Sequence, residues 1–442
     1  MTYEEALAYL NRHGYNTWNL GLSRIRSLME ALSDPQKKLK YIHVCGSNGK
    51  GSTCAMLERI LREAGYRTGF FPSPYIEDFR ERIQVSGEMI PKEDLVRITA
   101  RVKDIADAME DHPTHFELVT AIGLTYFAER QCDIVVLEVG LGGEFDATNV
   151  IDAPEVAVVT HIGLEHTEYL GKTLAAIAKT KSGIIKPGCD VVSYENEAEV
   201  MEVIKEVCAT QGCPLHIASF SRLILHASTL RDHTLSWERP DAETAPDVLL
   251  PEEVLLPDGM QLTLSLPGEY QLHNLTTVLT VTETLRARGF HIPEEAVTKA
   301  LSGVRWSARF EVLSREPLFI LDGGHNPQCA EALAESIRLY VPGQKVVFLA
   351  GVLKDKDYAG IIGHLAPFAV AFCCVTPDSA RALSGLELAA FLRGQGFHAV
   401  AYDNIREAIR ESLSQGYPVV AFGSLYMAGA IRRAFPDIIR TS

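Results

Sequence analysis

Residues 41–65, YIHVCGSNGKGSTCAMLERILREAG, constrain the fold more tightly than any other stretch. Its first five residues are apolar or β-branched enough for a buried strand. Cys54, Leu57, Leu61 and Ala64 then recur at helical spacing until Gly65 stops the helix. Between them lies the turn Gly46-Ser47-Asn48-Gly49-Lys50-Gly51-Ser52. Glycines let backbone N–H groups approach an anion, the helix start adds its dipole and unpaired donors, and Lys50 can set a positive charge against phosphate oxygens. The turn departs from the pattern G-x-x-x-x-G-K-S/T: Val44 takes the first glycine position, Gly51 follows the lysine, and a hydroxyl comes only at Ser52. A plain glycine-rich connector is the competing reading. Lysine and serine in register on a strand-turn-helix favour a phosphate cradle.

With 442 residues the chain can bury the cores of two or three domains. A formal charge of -15 and the lack of any Lys/Arg-rich run disfavour a nucleic-acid or anionic-membrane partner, while leaving room for a small anion in a local positive pocket. The start, MTYEEALAYLNRHG, is acidic and amphipathic rather than a leader, and no stretch approaches the roughly 18 apolar residues of a membrane span. A soluble cytoplasmic protein is expected. Nine cysteines without C-x-x-C pairs, several in apolar runs, read as reduced core residues.

Along the chain, residues 3–33 read as two helices broken near 14–21, and 67–71 as a short strand. The loop that follows, Pro72-Ser73-Pro74-Tyr75 through Arg80 and Arg82, has two prolines that forbid regular structure and two arginines close together. It is either a solvated connector or, lying beyond a strand of the same sheet, a ligand loop. Residues 92–111 and 115–130 are helical by pattern, and 132–139 form an apolar strand that carries Glu138 near its end. A carboxylate there is costly unless paired or bound to a cation, which favours metal ligation. The polar run from Gly140 to Asn149 suits a binding loop. Strand 155–160 ends at His161 and His166, whose spacing matches no recognised metal motif; His166 is either structural or a ligand. Lys179, Lys181 and Lys186 read as solvated or dipole-stabilising charges near a helix end. Residues 218–268 mix short β-like runs with an acidic, proline-bearing stretch, ERPDAETAPDVLLPEEV, that reads as a mobile surface insertion without an assigned role. A loop and helix over 268–288 carry Gln271 and Asn274, and 293–303 form a further helix.

Near Trp306 the chain is expected to change domain. Beyond it five apolar strands, at 317–322, 345–352, 369–376, 398–403 and 418–423, alternate with helices and predict a second doubly wound unit. Its first strand ends in Asp322-Gly323-Gly324-His325-Asn326-Pro327, polar residues where ligand loops belong.

Taken in order, HVCGSNGKGS, SPYIEDFRERIQVSG, FELVTAIGLTYF, DIVVLEVGLGG, DATNVI, GLEHTEYLG, KSGIIKPG, GEYQLHN, LDGGHNP and GSLY resemble the Mur ligase superfamily. The closest likeness is to its folylpolyglutamate synthase/dihydrofolate synthase branch, from about residue 20 to 432. The resemblance implies an α/β protein: a P-loop N-terminal ATPase domain with a mainly parallel sheet over 1–304, and a smaller Rossmann-like ligase domain over 305–442. It implies that Asn48, Gly49, Lys50, Gly51 and Ser52 hold ATP phosphates, with Asn274, Arg309 and Asp322 also contacting ATP, the last two from the linker and second domain. Ser73, Glu138 and His166 would bind Mg2+. Lys181 matches a lysine that is carbamylated in the family. Ser73, Pro74, Tyr75, Arg82, Phe116, Glu117, Phe145, Asp146 and Ala147 would face the folate, and His325 the incoming amino acid. Four departures from the branch pattern stand out. Glu144 stands in place of arginine, Ser307-Ala308 in place of Pro-Gly, Thr180 in place of glutamate and Gly324 in place of alanine. The first bears on substrate preference.

The implied reaction joins a carboxylate to the amine of L-glutamate at the expense of ATP, through an acyl phosphate that domain closure would shield from water. Lys50, Glu138, His166, Lys181 and His325 are its expected catalytic set, and His325 or His166 is open as the proton acceptor. The acceptor is dihydropteroate, a reduced folate, or both, and the enzyme is expected to act as a monomer. A muropeptide-type ligase and a non-catalytic ATP-binding paralogue are the competing readings. Joint retention of Lys50, Ser73, Glu138, His166 and Lys181 argues against the second.

Overall fold

Apolar strands and amphipathic helices alternate along the chain, and in the computed structural model, described for residues 1–12, 21–239 and 250–441, they assemble into two units. The expected break near 14–21 lies mostly outside the described residues; on either side run the helices Tyr3–Asn11 and Ser23–Ala31. The first unit comprises Met1–Ile224, Ser236–Leu262 and His273–Gly303, and the second Leu225–Leu235, Thr263–Leu272 and Val304–Ser442.

The first unit is built on eight strands. They are β1 (Tyr41–Cys45), β2 (Thr68–Phe71), β3 (Gln84–Val85), β4 (Glu88–Met89), β5 (Ile134–Glu138), β6 (Val156–Val159), β7 (Asp190–Tyr194) and β8 (Leu215–Ala218). Their order is β4-β3-β2-β5-β1-β6-β7-β8. The strands from β2 to β8 run parallel, and only the short β3 and β4 are antiparallel. β1, β2, β5 and β6 are buried along their whole length, as strands covered on both faces must be, which is why they read as continuous apolar runs. Helix Lys50–Glu63 follows the glycine turn and buries Cys54, Leu57, Ile60 and Leu61. It ends at Ala64, with Gly65 left-handed at φ 93°.

The described part of the 218–268 segment bears out the β-like runs read from the sequence. It forms a three-stranded sheet, β11-β10-β9, from β9 (Leu223–Ser228), β10 (His233–Trp237) and β11 (Met260–Leu264). Buried Glu283 accepts from Arg222 Nη1 and Nη2 at 2.8 Å each, from Trp237 Nε1 at 3.0 Å and from Leu256 N–H at 3.1 Å. The acidic, proline-bearing part at 240–249 lies outside the described residues.

The second unit holds a six-stranded sheet of β12 (Glu311–Arg315), β13 (Leu318–Leu321), β14 (Val346–Ala350), β15 (Ala369–Cys374), β16 (Ala399–Ala401) and β17 (Val419–Phe422). Its order is β12-β13-β17-β14-β15-β16, all parallel except β12. The sequence pattern misses β12: an edge strand with no fully buried residue, it shows no apolar run. No helix among the described residues is long and apolar enough to cross a membrane. None of the nine cysteines is in a disulfide; eight are buried and Cys329 is half-buried.

Candidate active site

The order β2-β5-β1-β6 sets four chain segments side by side at the C-terminal ends of adjacent parallel strands, where α/β sheets bind ligands. They are the Ser73 loop after β2, Glu138 closing β5, the glycine turn after β1, and residues 160–166 after β6. Ser73 N–H donates to the buried Glu138 carboxylate at 2.9 Å. Ser47 and Asn48 donate their N–H groups to His161 O at 2.8 and 3.2 Å, and Thr160 Oγ1 lies 2.7 Å from Asn48 O. These contacts fix the turn from the β6 side.

Gly49, at φ 86°, is the residue before helix Lys50–Glu63. A Cβ there would lie 2.3 Å from Asn274 Oδ1, so glycine is required both by the backbone and by this neighbour. Asn274, in helix Tyr270–Ala287, thereby sits against the glycine turn. Gly51 and Ser52 are buried in the helix's first turn, whose N–H groups have no acceptor within the helix.

Two ammonium groups converge on one peptide oxygen. Lys50 Nζ donates to Gly46 O at 2.7 Å and to Ser47 O at 3.1 Å, and Lys181 Nζ donates to Gly46 O at 2.9 Å. Lys181 also pairs with Glu165 Oε1 at 2.9 Å. Burial would raise the Glu165 carboxyl, yet Lys181, Lys50 and His166 outweigh it and hold the group at about 2. Burial pulls the Lys181 ammonium down, with Lys50 adding to the effect and Glu165 opposing it. The two shifts are compatible, since Glu165 faces three basic groups whereas Lys181 faces one anion and one cation. The expectation of solvated lysines is therefore corrected for Lys181, which is buried. It is corrected as well for Lys186, which donates to Asn149 O and Ile151 O and is lowered by burial to about 8. Lys179 alone of the three is exposed. His166 is left-handed at φ 47° and precedes the single turn Thr167–Leu170.

Of the residues expected around folate, Tyr75, Arg82 and Phe116 lie in one aromatic cluster. Rings of Phe71 and Phe116 lie 6.2 Å apart, Tyr75 and Phe79 5.8 Å, and Phe79 and His115 6.4 Å. Arg82 is buried, with its guanidinium 5.3 Å from the Phe116 ring and Nη1 3.3 Å from His115 Nε2. Because His115 Nδ1 faces Leu10 O at 2.8 Å, the neutral ring carries its proton there and accepts from Arg82 at Nε2. Residues Phe79–Arg82 make a 3-10 turn, correcting the expectation of an irregular loop, and Arg80 is engaged by Asp78. Glu117 caps its own helix through Thr114 and pairs with buried Arg24 at 3.1 Å. Asp146 accepts from Leu141 N–H at 2.8 Å and Thr148 N–H at 3.0 Å. A Cβ on Gly140 would fall 2.6 Å from Phe116 and 3.1 Å from Asp146 Oδ2, so these two meet across it. Pro74 and Phe145 are exposed, and Ala147 is buried.

In the second unit Asp322 is buried, Arg309 is half-buried, and His325 Nδ1 lies 3.0 Å from Gly323 O. Among the described residues no three His, Cys, Asp or Glu side chains converge as a closed metal cage. One buried carboxylate with a serine and a histidine nearby in sheet order still suits Mg2+. That ion commonly takes one or two carboxylates and completes its shell with water and substrate phosphate. Sequence reasoning passed over Glu165 and Thr160; the one signal for them was their position beside His166 and at the end of a strand next to the glycine turn.

Two family models match in chain order: the Mur ligase middle domain over residues 44–282 and the Mur ligase glutamate ligase domain over 308–425. Fold and site together thus define a Mur-type ligase. The chain is 32% identical to the folylpolyglutamate synthase of Lacticaseibacillus casei, and 32% to the dihydrofolate synthase/folylpolyglutamate synthase of Bacillus subtilis, covering 98% of both partners in each case. It also superposes on Escherichia coli FolC, solved in complex with DHPP and ADP, with a TM-score of 0.82 at 28% identity, over 100% of this chain and 99% of that one. The chain belongs to the folylpolyglutamate synthase/dihydrofolate synthase family of the Mur ligases.

Proposed function

We propose that this chain is an ATP-dependent ligase that adds L-glutamate to dihydropteroate, to reduced folates, or to both, with its ligase domain beginning near residue 305. The observation that carries the reading is the row formed by the Ser73–Glu138 contact, the Lys50 turn and the 160–166 segment at adjacent strand ends. The relatives are named for this chemistry, and the E. coli structure holds ADP and DHPP.

A carboxylate is a poor acyl donor until its oxygen is made a leaving group. In the proposed reaction the acceptor's carboxylate attacks the γ-phosphorus of ATP, releasing ADP and leaving an acyl phosphate; the amine of glutamate then attacks the carbonyl and phosphate departs. Lys50 releases its peptide acceptors to neutralise phosphate charge, and the first-turn N–H groups of Gly51 and Ser52 cradle the same oxygens. Ser73, Glu138 and His166 would hold magnesium, which supplies further charge neutralisation at the phosphates. Lys181, whose Nζ lies 2.9 Å from Gly46 O beside the glycine turn, would be the lysine that is carbamylated. Arg82 and the Phe71, Tyr75 and Phe116 rings offer a flat, partly cationic surface suited to a pterin and its benzoyl group. Asn274, Arg309 and Asp322 serve ATP, and His325 faces the incoming glutamate, where the lone pair on Nε2 of its neutral ring can take a proton. The nine free cysteines suit a reducing compartment such as the cytoplasm.

The test is ADP and phosphate release with ATP, magnesium and L-glutamate, comparing dihydropteroate, tetrahydrofolate and a UDP-muramoyl acceptor, with Lys50→Ala as control. Turnover with either pterin acceptor supports the reading and names the activity. Turnover with the UDP-muramoyl acceptor alone, or with none, overturns it.

A further inference from the structure

His43 sets an imidazole in the middle of β1, between Ile42 and Val44, and is fully buried. Burial, with Lys186 adding to it, holds the ring well below the usual histidine range, so it is neutral and carries a single N–H. Nε2 lies 2.9 Å from Thr148 Oγ1, while Nδ1 meets no hydrogen-bonding partner among the described residues. A buried ring nitrogen without a partner costs free energy that an apolar side chain at this position would not incur.

The direction of the His43 contact is set one residue further on. Thr148 Oγ1 donates to Asp146 Oδ1 at 2.5 Å, and Thr148 N–H donates to the same oxygen at 3.0 Å. An ionised carboxylate only accepts, so the one hydroxyl proton is committed to Asp146 and Thr148 Oγ1 meets His43 through a lone pair. His43 therefore carries its proton on Nε2 and donates it, which gives a chain from β1 through Thr148 to Asp146. Burial raises the Asp146 carboxyl, and the Thr148 and Leu141 donors oppose the effect.

Two donors on Oδ1 fix the plane of the carboxylate and hence the place of Oδ2. That oxygen accepts from Leu141 N–H at 2.8 Å and lies across Gly140 from the Phe116 ring. Asp146 also caps the 3-10 turn Ala147–Val150.

We infer that His43 is a positioning residue for the acceptor: it orients Asp146 through Thr148, and so sets the Asp146–Ala147 corner, without touching the substrate. The inference rests on the proposed ligase reading, in which Asp146 and Ala147 face the acceptor.

KM for the acceptor, KM for ATP and the melting temperature are to be measured on the full chain carrying His43→Asn, His43→Gln, Thr148→Val, and His43→Asn with Thr148→Val. The assay is ADP release with dihydropteroate or tetrahydrofolate, whichever the unchanged chain turns over. Asparagine carries its amide where Nδ1 stands and falls short of Thr148, whereas glutamine reaches as far as Nε2 and restores the donor. His43→Asn and Thr148→Val are each expected to raise KM for the acceptor about tenfold and to move KM for ATP by less than about twofold. His43→Gln is expected to stay within about threefold of the unchanged chain, and the double variant within about twofold of Thr148→Val. A merely structural histidine would lower the melting temperature and weaken both substrates alike. Equal rises in the two KM values overturn the inference. So does a glutamine variant no better than the asparagine one, or a double whose KM rises by the product of the single effects. Turnover of neither pterin acceptor by the unchanged chain is a separate result, which removes the ligase reading and the inference with it. Should His43→Asn fail to fold, His43→Phe, which keeps a ring and removes its N–H, takes its place with the same expectations.

Discussion

Lys181 and Glu165 form a buried ion pair, Nζ to Oε1 at 2.9 Å, beneath the turn that carries Lys50. With its folded pKa depressed from 4.5 to about 2, Glu165 contributes stability that is present above pH 4.5 and lost as pH falls through about 2; Lys181, pulled down by burial, subtracts from it. Glu165→Gln should therefore cost about 3 kcal/mol at pH 7 and much less at about pH 2.5. Urea unfolding at the two pH values checks this, and an equal loss at both would refute it.

Lys50 is half-buried and its ammonium donates to the backbone oxygens of Gly46 and Ser47, so Lys50→Ala should leave the fold intact. Removing a preorganised charge from the phosphate site should lower kcat/KM for ATP about 100-fold or more. Circular dichroism with ADP-release kinetics gives both readouts; retention of activity would remove the turn from the mechanism.

Glu144 and Phe145 are exposed on a loop held by Glu144 N–H to Thr180 O at 2.9 Å and by Asn149 Nδ2 to Glu144 O at 3.0 Å. An anion at that place would repel an anionic acceptor bound at this loop. Glu144→Arg should lower KM for the acceptor several-fold, about 1 kcal/mol, with the gain shrinking as salt is added. An unchanged or higher KM would place Glu144 away from the acceptor.

Glu283 is fully buried and anchors Arg222, Trp237 and the backbone of Leu256. Glu283→Gln leaves the guanidinium of Arg222 buried without its counter-charge, at a cost of about 3–5 kcal/mol. The urea midpoint reads this directly; if the 218–268 segment were a loose appendage, the midpoint would not move.

Contiguous features were legible in the sequence and dispersed ones were not. The Lys50 turn needs only strand, glycines and helix in succession, so its pattern and its structure coincide at Tyr41–Cys45 and Lys50–Glu63. Glu138 stood out because a charge ended an apolar run. Lys181 looked solvated because its partners, Gly46 and Glu165, come from other segments, and nothing local to a lysine announces burial. Arg222 was passed over for the same reason, its carboxylate lying in a helix far along the chain. β12 escaped because an edge strand has no fully buried face to impose a pattern.

Cys329 is half-buried while the other eight thiols are buried, and it lies in the first turn of helix Pro327–Tyr340, where its N–H is capped by Asn326 just after His325. The natural chain therefore carries its own attachment point for a thiol-directed dye, beside the segment that would receive glutamate. Binding there could be followed by fluorescence without engineering a single residue.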